Sequence, residues 1–129
     1  MKKILILTAA LASLHVQSAH AEWVSYQHGV DADELYDSKL VSRDGSLVKL
    51  WTMTNFAKPM TSLEGKDYQS EKMLTTIDCA HRKMGAELVV RLAARNGQGD
   101  TVSTMESPLR LVSVKAGSAD DRLVDRVCQ

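Results

Sequence analysis

The chemistry nearest to hand in this chain is that of a thiol beside an imidazole and a carboxylate. Asp78-Cys79-Ala80-His81 places all three side-chain types within one short stretch. A cysteine attacks as its thiolate, which a neighbouring imidazolium stabilises. The chain has one other cysteine, Cys128, and a disulfide between the two would leave neither sulfur free for catalysis. The compartment decides between these outcomes.

Residues 1–21 carry the three parts of a bacterial secretory leader. Lys2 and Lys3 are its basic end, 4–14 its apolar run, and Ala19-His20-Ala21 its small-residue cleavage signal. That run of about 11 residues falls short of the ~20 needed to span hydrocarbon. Cleavage is expected between Ala21 and Glu22, leaving one domain over 22–129. No cysteine follows the run to carry an N-terminal lipid, so a periplasmic or secreted protein without a lipid anchor or membrane span is expected. In such an oxidising compartment a pair of cysteines forms a structural bond. The expectation is a Cys79–Cys128 disulfide, no catalytic residue and no enzyme.

Other candidates are weaker in pattern. Gly97-x-Gly99 begins like a phosphate-cradling loop, but lacks the third glycine and the helix that such a loop opens, and reads as a turn. Asp31, Asp33 and Glu34 offer oxygen ligands without calcium-loop spacing, as a solvated acidic loop would. Beyond the leader only His28 and His81 remain as histidines, so no metal or cofactor is expected. The 16 basic side chains match the 16 acidic ones until Lys2 and Lys3 leave with the leader, which tips the balance slightly acidic. Nucleic-acid binding needs a concentrated basic face and is not expected.

One basic cluster stands out. Arg82, Lys83, Arg91 and Arg95 lie close in sequence, and the last three share the polar parity of one strand, with Lys72 on the strand before. Lys72, Lys83, Arg91 and Arg95 are therefore candidates for contact with an acidic partner. A solvated sheet face with Glu87 interspersed is the other possibility, since exposed strands commonly carry such charges.

The elements that must position these residues are mostly strands. Over 83–95, Met84, Ala86, Leu88, Val90, Leu92 and Ala94 occupy one parity, which predicts a half-buried strand. Strands are also expected at 47–56, 68–77 and 101–105, and weaker ones at 22–27 and 34–40. The stretch 58–66, with Pro59 and Gly65, reads as the longest loop, and Trp23 and Trp51 read as core. Near the end the period changes. Ser118 precedes Asp120 and Asp121 as a helix cap with acidic first-turn residues, and Leu123, Val124, Val127 and Cys128 form one apolar stripe. A helix of about ten residues is marginal alone and needs a sheet to lie on.

Taken together, several of these residues resemble the surface-adhesin protein E family. They are Trp23, Leu35-Tyr36-Asp37 with Gly45, Val48-x-Leu50-Trp51, Tyr68-x-Ser70-Glu71-Lys72-x-Leu74, Ile77-Asp78-Cys79-Ala80, and Gly117-Ser118 with Val127-Cys128. The resemblance implies an α+β fold, an antiparallel sheet of about six strands with a C-terminal helix packed on one face and tied by the disulfide. It also implies adhesion to host extracellular proteins. The function expected is an exported, non-catalytic protein-interaction module that binds host matrix or envelope proteins. The alternative is a periplasmic binder of a small ligand held between sheet and helix.

Overall fold

Antiparallel pairing organises nearly all of the chain. The computed structural model describes residues 20–129, and apart from its last two residues the expected leader lies outside them. In order, the strands are β1 (Trp23–His28), β2 (Ala32–Asp37), β3 (Ser42–Asp44), β4 (Leu47–Thr61), β5 (Asp67–Asp78), β6 (Lys83–Leu92), β7 (Thr101–Glu106) and β8 (Val112–Ser113), followed by the helix α1 (Ala119–Val127). They form one sheet in the order β1-β2-β4-β5-β6-β7, with β3 also on β4 and β8 also on β6. The sheet therefore has eight strands rather than six. The two extra ones are only three and two residues long, too short to show a period in sequence.

Side-chain alternation gives the sheet two unlike faces. The register Val48↔Ile77 and Leu50↔Thr75, continued by Ile77↔Met84, puts these residues on one face. Leu123, Val124 and Val127 of α1 close over it, and with Val48, Leu50 and Ile77 make a core in which no member is more than 6% exposed. The helix starts where its sequence requires. Ser118 Oγ accepts a hydrogen bond from the Asp121 N–H at 3.2 Å, meeting one of the unpaired donors of the first turn.

Both ends of the helix are fastened. Cys79 and Cys128 are joined by a disulfide at its C-terminus, where Arg43 also donates to the Val127 carbonyl at 3.1 Å. Near the N-terminus the Arg82 guanidinium pairs with Asp121 and, at 3.0 Å, with Asp125.

Three departures from the sequence expectations have local causes. The expected loop over 58–66 is shorter than its sequence suggests, because β4 runs on to Thr61 and leaves only 62–66 to connect it with β5 at Asp67. Pro59 is tolerated there because pairing lapses between Asn55 and Met60, so no ladder bond needs its missing N–H. The strand expected over 83–95 stops at Leu92, and the chain turns through a single 3₁₀ turn at Arg95–Gly97. Within β6 the register slips by one residue, Leu74 facing Leu88 while Thr75 faces Ala86, so Glu87 is inserted as a bulge. One extra residue exchanges the two faces for everything beyond it.

Where the helix N-terminus meets β1 and β2, two carboxyls come together, Glu34 partly buried and Asp120 more exposed beside it. Burial, and then the charge of Asp120, raise the pKa of Glu34, and burial raises that of Asp120. The Tyr26 hydroxyl, bonded to Glu34, is also held well above its ordinary value, chiefly by burial. A carboxyl with a raised folded pKa binds more protons folded than unfolded between its two values. Stability therefore falls as pH climbs through that window, and the penalty is complete above it. Glu34→Gln should accordingly be more stable than the parent near pH 7, with the difference closing below about pH 4. Urea midpoints at the two pH values check this, and an equal gap at both would contradict it.

Candidate functional site

The face turned away from the helix is only partly covered. Towards one end, the Arg95–Gly97 turn folds over Met53 and Leu92, which are 2% and 6% exposed. Two buried polar side chains hold the turn down. Ser70 Oγ donates to the Ala94 carbonyl at 2.6 Å and accepts from the Gly97 N–H at 3.0 Å. Asn55 exchanges two bonds with Asn96, its Nδ2 donating to Asn96 Oδ1 at 2.8 Å and its Oδ1 accepting from the Asn96 N–H at 2.6 Å. Gly97 and Gly99 both have positive φ, 69° and 81°, so this glycine pair serves a turn.

Beyond that turn the face is open. The register Trp51↔Leu74 and Leu74↔Leu88, with Lys72↔Val90, lays Trp51, Leu74, Leu88 and Val90 side by side, all partly exposed. Charges edge this strip. Lys72 Nζ lies 5.8 Å from the Trp51 ring centroid, and Lys49 Nζ pairs with Glu87 Oε1 at 2.7 Å. Neither tryptophan belongs to the buried core expected for it, since Trp51 lies on this face and Trp23 on the edge strand β1.

A crossover segment gives the open face relief. β7 pairs with the far part of β6 and β8 with its start, so 107–111 must bridge the gap between them. It passes directly over Gly85, where an added β-carbon would overlap the Arg110 carbonyl. Beside the crossover lies a cavity of about 510 Å³, lined by Leu74, Glu87, Leu88, Glu106, Ser107 and Pro108. Sequence reasoning missed this cleft. Its signals were Gly85 inside an apolar strand, which marks a bulge or a close backbone approach, and Pro108 after β7.

The candidate residues named from sequence are dispersed. Lys72 and Lys83 lie on the open face. Arg91, carried by the Glu87 bulge to the helix side, pairs with Glu71 at 2.9 Å and stacks 4.7 Å from the Tyr68 ring. Arg95 donates to the Phe56 carbonyl at 2.8 Å and sits 3.7 Å from Asp33. So Lys83, Arg91 and Arg95 do not share one face.

Asp78-Cys79-Ala80-His81 is a β5–β6 turn. Asp78 accepts from the Ala80 and His81 N–H groups and from His81 Nδ1 at 2.9 Å, and the His81 bonds hold its pKa below the ordinary range. Its cysteine is in the disulfide. The acidic triplet is likewise split. Asp31 accepts the Ala57 N–H through its backbone, Asp33 contacts His28 and Arg95, and Glu34 faces Tyr26. Among the described residues, no three His, Cys, Asp or Glu side chains converge as a metal site would require, and no helix is long and apolar enough to cross a membrane.

A profile of the family described as surface-adhesin protein E matches residues 23–129. The chain belongs to the surface-adhesin protein E family. Protein E of Haemophilus influenzae superposes with a TM-score of 0.68 at 14% identity, covering 86% of each chain. A second structure, protein E from non-typeable Haemophilus influenzae, gives 0.66 at 14% identity over 87% of this chain and 78% of the other. At that identity the likeness concerns the fold, which protein E shares. No curated protein matches the chain by sequence. Membership of the surface-adhesin protein E family makes this chain an adhesin-like protein-interaction module. It also implies a non-enzymatic role and an exported or surface location.

Proposed function

We propose that the mature chain, 22–129, is exported without a lipid anchor and docks a partner protein, of host matrix or of the envelope, on the open sheet face. The observation that carries this is the uncovered strip of Trp51, Leu74, Leu88 and Val90, while the opposite face is closed by α1. An aromatic and aliphatic strip with charges at its edge has the make-up of an interface core and rim. Lys72 and Lys83 supply cations on that face, whereas the β4–β5 hairpin end over 58–66, with Leu63 fully exposed, lies on the other side of the Arg95–Gly97 turn. Arg91 and Arg95, engaged by Glu71 and Asp33, contribute less. A small ligand between sheet and helix fits less well, because Val48, Leu50, Ile77, Leu123 and Val124 fill that space with no exposure.

The test is capture of partners from envelope extract and from host matrix by the wild-type protein and by a Lys72→Glu/Lys83→Glu variant. Capture should drop about tenfold in the variant while its circular dichroism is unchanged, as expected when interface charges are reversed. Equal capture by a folded variant refutes this surface.

A further inference from the structure

We propose that the cleft beside the 107–111 crossover receives an arginine or lysine side chain of the partner polypeptide, a proposal that rests on the open face being the docking surface. Its volume, about 510 Å³, lies within the ~300–1,000 Å³ of known ligand clefts. Leu74, Leu88 and Pro108 offer apolar walls for a methylene stem, and Glu87 and Glu106 are the charged groups lining it. Among the described residues, no basic one lines the cleft.

The two carboxylates are not equally satisfied. Glu87 Oε1 is engaged by Lys49 at 2.7 Å. Glu106 is exposed and forms no ion pair among the described residues. The pairing Leu88↔Glu106 sets its side chain on the open face, and the Ser107 N–H bond to the Glu87 carbonyl at 3.1 Å fixes the adjoining backbone. A cation with an apolar stem complements both the walls and the uncompensated charge. An acidic side chain would meet repulsion from Glu106, and an apolar one would leave its charge unanswered.

The probes are acetyl-Leu-Arg-Leu-amide, its lysine and citrulline analogues, acetyl-Leu-Glu-Leu-amide and spermidine, titrated into the ¹⁵N-labelled, disulfide-intact protein. Amide shifts at 74, 87, 88, 106 and 107 should respond to the arginine or lysine peptide about tenfold more tightly than to the neutral citrulline one. Glu106→Gln, on an exposed side chain, should remove most of that difference, and Glu106→Arg should turn the preference towards the glutamate peptide. The proposal is overturned by equal binding of the cationic and citrulline peptides, by shifts confined elsewhere, or by spermidine binding as tightly as the peptides.

The two levels fail separately. If the cationic peptides do not bind while Lys72→Glu/Lys83→Glu still lowers capture about tenfold, the cleft is wrong and the docking face stands. If they bind in the cleft and capture ignores the lysine reversal, the cleft stands and the docking face is wrong.

Discussion

Cys128→Ser should lower the stability of the fold by about 4 kcal/mol and the melting temperature by roughly 15–30 °C. The bond spans a sequence separation of 49, and the chain-entropy model assigns most of the loss to the freed unfolded state. The folded state has little to compensate with. Helix α1 has nine residues, below the length at which a helix persists alone, so it depends on its anchorage. What remains is the burial of Leu123, Val124 and Val127, the Arg43 bond to the Val127 carbonyl, and the ion pairs of Arg82. That arginine is 45% exposed, and surface pairs of this kind contribute little. Amides over 119–127 should therefore lose hydrogen-exchange protection before the strands do. Thermal melts and exchange rates measure both effects, and a variant that melts with the parent would show that the helix supports itself.

Gly85→Ala should destabilise the protein by about 3 kcal/mol, at the upper end of overpacking costs, because the obstacle is backbone. The new methyl group would overlap the Arg110 carbonyl and press on Leu109. The crossover has little freedom to yield. One side is held by the Ser107 N–H bond to the Glu87 carbonyl at 3.1 Å, the other by the Val114 N–H bond to the Arg82 carbonyl at 3.0 Å. A urea midpoint gives the stability loss. Amide shifts over 107–111 would report the displaced crossover, and with it a deformed cleft. An alanine variant as stable as the parent, with those shifts unmoved, would show that the crossover gives way at no cost.

The parts of the fold that could be read from sequence were those governed by one unbroken period. The helix, its Ser118 cap and its stripe are of that kind, and so is the centre of β5, while β4 was legible as a run apolar or threonine-rich on both parities and β7 as the far arm of a turn. Alternation along β6 suggested a single polar face, and it misled because Glu87 is an extra residue. Period-two reasoning has no means of detecting an insertion that satisfies hydrogen bonding locally while swapping sides. Trp51 misled in another way. Large aromatics are usually core, yet the side of a strand that becomes core depends on where the helix lands, which is a long-range fact. The disulfide was legible from compartment and cysteine count. The cleft was not, because it is made by residues from β5, β6 and the crossover, and only pairing brings them together.

Placing the helix, the disulfide and the larger buried cluster on one side of the sheet, with only Met53 and Leu92 buried under the turn on the other, has a consequence for divergence. Substitutions at 49, 74, 88 and 90 touch neither α1 nor the helix-side core, so the packing that holds the fold places few demands on them. The open side can drift, or be reshaped by a changing partner, while the fold is inherited intact. A shared architecture at 14% identity is what such a separation permits.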